Sequence, residues 1–158
     1  MKESVQAGLN FGLTSGVITT LGLMVGLHSG THSSLAVIGG ILTIAIGDSM
    51  SDALGMHISK EAENVYSKKQ LWAATLATLV SKFIMAATFI VPVLVFDLGV
   101  AIVVSVMWGL GVLIALSIYL ARIQETRMIH VVGEHLAIAL AVIGLTHYAG
   151  AWVARLCM

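Results

Sequence analysis

Charge is what this sequence has least of. Asp, Glu, Lys and Arg make up 10% of its 158 residues, eight acids against eight bases, where a soluble domain carries roughly 25%. So few charges cannot coat a water-facing surface of this size, which excludes an ordinary globular domain. The deficit also excludes a disordered chain and a nucleic-acid binder, because there is no basic patch. Cysteine is limited to Cys157, so an internal disulfide and a cysteine-built zinc or iron–sulfur centre are excluded. Proline is limited to Pro92, so helices run with few interruptions. In place of charge the chain has apolar residues, 58% of the total, and sixteen glycines. Its mean hydropathy is +0.99. This composition points to an all-α, polytopic membrane protein, in which one span takes ~20 residues.

Polar breaks at 28–34, 59–70, around Asp97 and at 122–130 leave apolar runs at 8–27, 35–58, 71–96, 98–121 and 131–154. Their length excludes barrel strands. They predict a single five-span domain over residues 1–158. The first run has neither a basic leader nor a cleavage pattern and reads as a retained helix. Lys2, Lys60, Lys68, Lys69, Arg122 and Arg127 fall on one side of alternating spans, with Arg155 on the other. The positive-inside rule then places the N-terminus and both longer loops in the cytoplasm and the C-terminus outside. The absence of a eukaryotic-style extension makes a prokaryotic cytoplasmic membrane the expected location.

Lipid gives helices no hydrophobic drive to associate, so small residues that allow close approach matter. The first span has Gly8, Gly12 and Gly16, then Gly22 and Gly26. The second has Gly39, Thr43, Gly47, Ser51, Gly55 and Ser59 at four-residue steps. Such faces pack either within one subunit or across a two-fold homodimer.

Asp48 sits ~15 Å above the cytoplasmic end of the second span, near mid-bilayer, and Asp52 one turn lower. At 100° per residue Asp48, Asp52, Met56, Ser59 and Glu63 share one stripe. An aspartate at a helix centre costs ~2.5–3.5 kcal/mol on insertion scales, so two need a reason. One reason is a structural ion pair: Lys82 lies ~16 Å deep in the third span, at the depth of Asp48. The other is a cation path with a second acid left over. Asp48 and Asp52 supply oxygen, Met56 a soft thioether, and Ser51 and Ser59 hydroxyls. That mixture favours transition ions over calcium or magnesium. Carboxylates crowded in low dielectric hold protons more tightly, so a bound metal displaces them, which is the basis of metal/proton exchange.

Other polar groups are weaker signals. His28 and His32 flank the first extracytoplasmic turn, as turn residues or as a capture point for metal. Glu61, Glu63 and Glu134 (with Glu125) form a cytoplasmic mouth or merely a solvated helix end. Trp72, Tyr148 and Trp152 suit interfacial anchoring. No nucleophile with its base, phosphate loop or paired-histidine helix is present, so an enzyme is not expected.

Two stretches resemble a known family. Phe11-Gly12-Leu13-Thr14-Ser15-Gly16-Val17-Ile18-Thr19-Thr20-Leu21 is similar to the first-span motif of the vacuolar iron transporter family. Ser51-Asp52-Ala53-Leu54-Gly55-Met56-His57-Ile58-Ser59 is similar to its second. The resemblance continues through Thr78 to Val95 and Gly133 to Val153, to members without the cytoplasmic metal-binding domain. It implies a homodimer with the ion path between subunits, lined by Thr14, Ser15 and Thr19. It also implies export of Fe2+ or Mn2+ against protons, with no tightly bound cofactor. Ser15 stands where the family has an aspartate, Asp52 where it has methionine, and Met56 where it has glutamate.

The sequence thus supports a divalent-metal/proton antiporter with Asp48, Asp52 and Met56 as ligands. A carrier for another cation or a small solute is the first alternative. A non-transporting scaffold, clamped by Asp48 and Lys82, is the second.

Overall fold

The computed structural model describes residues 1–157, and all its elements are helical. Five helices are long and apolar enough to cross a membrane: α1, Lys2–Thr31; α2, Ser34–Ala62; α3, Lys68–Val95; α4, Leu98–Ile123; and α5, Met128–Cys157. They contain the expected runs except at one end, where α3 stops at Val95 and leaves Phe96 in extended backbone. Most ends extend past the apolar runs, because polar residues with adequate helix propensity have no reason to leave the helix until a cap intervenes. One such cap is His32, left-handed at φ 49°, whose N–H returns to His28 O. Ser33 accepts from Ala36 N to open α2. Ser67 and Gln70 form a reciprocal capping box that opens α3.

Two helices are irregular. The ladder of α3 is interrupted at Phe89, three residues before Pro92, whose missing N–H leaves the Thr88 carbonyl without its usual donor. α2 widens into a π turn over Ile44–Asp48. Buried Ser49 donates its hydroxyl to Ile44 O at 3.4 Å, supporting the widened turn.

α1 is the central helix and touches all the others. Its Val17, Leu21 and Met24 are buried with Met85, Phe89 and Leu113 in the main core cluster. α1 packs on α3 through Gly8, Gly12 and Gly16. A Cβ at Gly12 would meet Ser81 Oγ and, at 2.6 Å, Thr78 O. Near the other end Gly26 of α1 faces Gly150 of α5, whose added Cβ would run into the Gly26 carbonyl. Within one chain, then, the glycines of α1 serve close packing.

The small residues of α2 do not. Gly39, Thr43, Gly47, Ser51, Gly55 and Ser59 are all exposed, and a Cβ on Gly39, Gly47 or Gly55 would meet nothing within 4 Å. Steps of four residues drift ~40° each around a regular helix, and the extra residue of a π turn takes back ~100°. The π turn therefore limits the drift of this open stripe. Large apolar side chains such as Leu54, Leu76, Ile84, Leu94, Met107 and Leu145 are exposed around the rest of the bundle.

Candidate functional site

Lys82 of α3 is fully buried. Its Nζ lies 2.5 Å from Oδ2 of Asp48 and 2.5 Å from Oδ2 of Asp52. It also donates to Ser15 Oγ at 2.9 Å. Ser15 in turn donates to Asp52 Oδ2 at 2.6 Å. Three helices therefore meet at one ammonium. Backbone approach at Gly12 and Gly16 brings α1 and α3 close, and Lys82 extends from α3 to both carboxylates of α2. With all three ionised, the site carries one net negative charge.

The two carboxylates are held differently. Asp52, 22% exposed, accepts hydrogen bonds from Lys82 and from Ser15. Asp48 is 38% exposed, and its contact with Lys82 is an ion pair only. Its Oδ2 has no hydrogen-bond partner. The ammonium donates to Ser15 and Asp52, and Asp48 Oδ2 lies as close to it as Asp52 does but off the direction of a regular hydrogen bond.

Asp48 also lines a groove of about 710 Å³ between α1, α2 and α5. Thr19, Leu23, Gly26, Ile44, Thr146 and Gly150 are among its walls. Thr19 turns its hydroxyl back to Ser15 O at 2.7 Å. The groove is almost wholly apolar apart from this aspartate. Sequence reading missed it because its walls come from helices far apart in the chain. The one signal was the pairing of Gly22, Gly26 and Gly30 with the small residues Thr146 and Gly150.

The expected Asp48–Lys82 pair is present. The expected spare acid is not: Lys82 takes Asp52 as well. Asp48 and Asp52 are one turn apart, ~6 Å along the axis, and one long lysine reaches the gap between them. Of the other expected residues, Thr14 and Met56 are half-buried, Met56 one turn beyond Asp52. Ser51 and Ser59 lie on the open face of α2 rather than around Lys82. Glu63 pairs with Lys60 at 3.0 Å, while Glu61 and Glu134 are exposed near the ends of α2 and α5. Among the described residues no three His, Cys, Asp or Glu side chains gather as a metal cage. An ion here would have to displace the ammonium from two carboxylates and complete its shell with hydroxyl, thioether or water.

No protein-family model, curated protein or solved structure matches this chain.

Proposed function

We propose that this protein is a membrane carrier that exchanges a divalent transition cation, Fe2+ or Mn2+, for protons. The exchange site is Asp48, Asp52 and Lys82, with Met56 as the soft donor next to it. The observation that carries the reading is that Asp48, the more exposed of two carboxylates held by one lysine, lines the groove between α1, α2 and α5. A clamp made only for stability has no need of access to either acid. Here Asp48 stays partly exposed beside the ion pair and opens on a groove. A net negative charge among apolar helices is stabilised by a counter-cation, and the cation competes with Lys82 and with protons for the same oxygens.

The exposed apolar belt supports lipid as the surrounding medium. The basic ends support a cytoplasmic N-terminus and an extracytoplasmic C-terminus. The open small-residue stripe of α2 supports a homodimer that packs α2 against its copy. Thr14, Ser51 and Ser59 would then line the seam between subunits. Alternating exposure of Asp48 to the two sides would convert exchange into export.

The test is proteoliposome flux of Fe2+ and Mn2+ with an internal pH dye. Wild type is expected to move metal one way and protons the other. Asp48→Asn and Asp52→Asn are each expected to lower both fluxes at least tenfold. Undiminished flux in both variants overturns the assignment. A second reading, a scaffold clamped by this triad, is favoured by the simultaneous contact of Lys82 with both acids. It is supported if the folded wild-type protein moves neither ion.

A further inference from the structure

His28 lies in the last turn of α1 and His32 is its left-handed cap, at the end of the bundle away from the lysine-bearing α2–α3 loop. Their ring centroids are 5.3 Å apart with planes at 86°. Two imidazoles on one ion at metal–nitrogen distances of ~2.0–2.1 Å and a tetrahedral angle have centroids about 5 Å apart. The rings already stand at that separation.

The backbone holds them there. His32 is a non-glycine residue at φ 49°, and its N–H donates to His28 O at 3.0 Å. Nδ1 of His28 is buried without a hydrogen-bond partner, and a buried ring nitrogen without a partner is costly. The neighbouring His147 of α5 is already engaged, 2.6 Å from Ser29 Oγ through its Nδ1. Among the described residues, the acidic and basic side chains at this end are Asp97, in the α3–α4 turn, and Arg155, in the last turn of α5.

We propose that His28 and His32 form a two-histidine site for a borderline transition ion such as Ni2+, Cu2+ or Zn2+. Imidazole is the ligand these ions accept most readily. Two protein ligands leave the other coordination positions to water, so the ion exchanges readily. The site does not depend on transport through Asp48.

The experiment uses the full chain in detergent, with no polyhistidine tag and with Cys157→Ser. Ni2+ is titrated by calorimetry, and Cu2+ is followed by electron paramagnetic resonance. Wild type is expected to bind one Ni2+ and to show nitrogen couplings from two imidazoles. His28→Ala and His32→Asn are each expected to weaken Ni2+ at least tenfold and to lose one nitrogen coupling. Asparagine tolerates the left-handed backbone at position 32, and an unchanged melting temperature shows that the turn survives. His147→Ala and Asp48→Asn are expected to bind as wild type. Equal affinity in wild type, His28→Ala and His32→Asn overturns the site, as does loss of binding in His147→Ala alone.

Discussion

Asp48 and Asp52 belong to successive turns of α2, yet they should respond differently to the same substitution. Asp52 accepts two hydrogen bonds, one from a buried ammonium. Hydrogen bonds to charged groups contribute about 1.5–3 kcal/mol each. Asp48 accepts no regular hydrogen bond and is more exposed, so water offsets more of what its contact with Lys82 contributes. Asp52→Asn is therefore expected to lower the melting temperature in detergent more than Asp48→Asn. Equal shifts would show that the two acids are equivalent. Lys82→Met leaves both carboxylates without their cation. Removing one partner of a buried pair costs about 3–5 kcal/mol, and the partial exposure of both acids puts the expected loss at the lower end. A melting temperature unchanged by Lys82→Met would remove Lys82 from any structural role. At this scale the sequence was legible in part. Matching depth along two helices identified Lys82 as a partner for Asp48. It did not reveal Asp52 as a second partner, because depth says nothing of how a flexible ammonium divides itself between acids one turn apart. Ser15 was read as a wall of the path, and its place as the bridge between Lys82 and Asp52 needed three helices in register.

At the scale of the helix, glycine has two different uses in this chain, and spacing alone does not separate them. The ladders of α1 and α2 look alike in the sequence. On α1 the glycines fit against α3: Gly12 has no room for a Cβ beside Thr78 O and Ser81 Oγ. Gly12→Val is expected to destabilise the protein by about 1–3 kcal/mol through forced separation of α1 from α3. It should also disturb the Lys82 site, since Lys82 follows Ser81. On α2 a Cβ at Gly55 meets nothing within 4 Å. Gly55→Ala is expected to leave the isolated chain as stable or to gain about 0.8–1.0 kcal/mol of helix propensity. Comparing the two variants by thermal unfolding in dilute detergent checks the contrast. A Gly12→Val protein as stable as wild type would mean that α1 and α3 do not approach so closely. The π turn of α2 was not legible, because a wheel drawn at 100° per residue assumes an unbroken helix. Residues after Asp48 keep the predicted stripe, and those before Ile44 are rotated relative to it.

For the whole molecule, α1 is surrounded while α2 is left with an uncovered stripe of small residues running from Gly39 to Ser59. A lone chain in lipid gains nothing from glycine at such a surface, since acyl chains pack as well against leucine. Two copies related by a two-fold axis parallel to the bundle would gain close backbone contact along the stripe. They would also bring two Asp48–Asp52–Lys82 triads to the same seam. In a Cys157→Ser background, Gly55→Cys and Gly47→Cys are expected to form a disulfide-linked dimer on mild oxidation in membranes. Leu145→Cys, exposed on α5, is expected to remain monomeric. Gly55→Leu should convert a dimer to a monomer by mass measurement in detergent while leaving helix content unchanged. The cross-linking pattern separates packing along α2 from contact along α5, because Gly55 and Leu145 belong to helices that make little contact within the chain. Cross-linking at position 145 with none at 47 or 55 would move the interface to α5, and the exchange site would then face lipid through its groove rather than a second copy of itself.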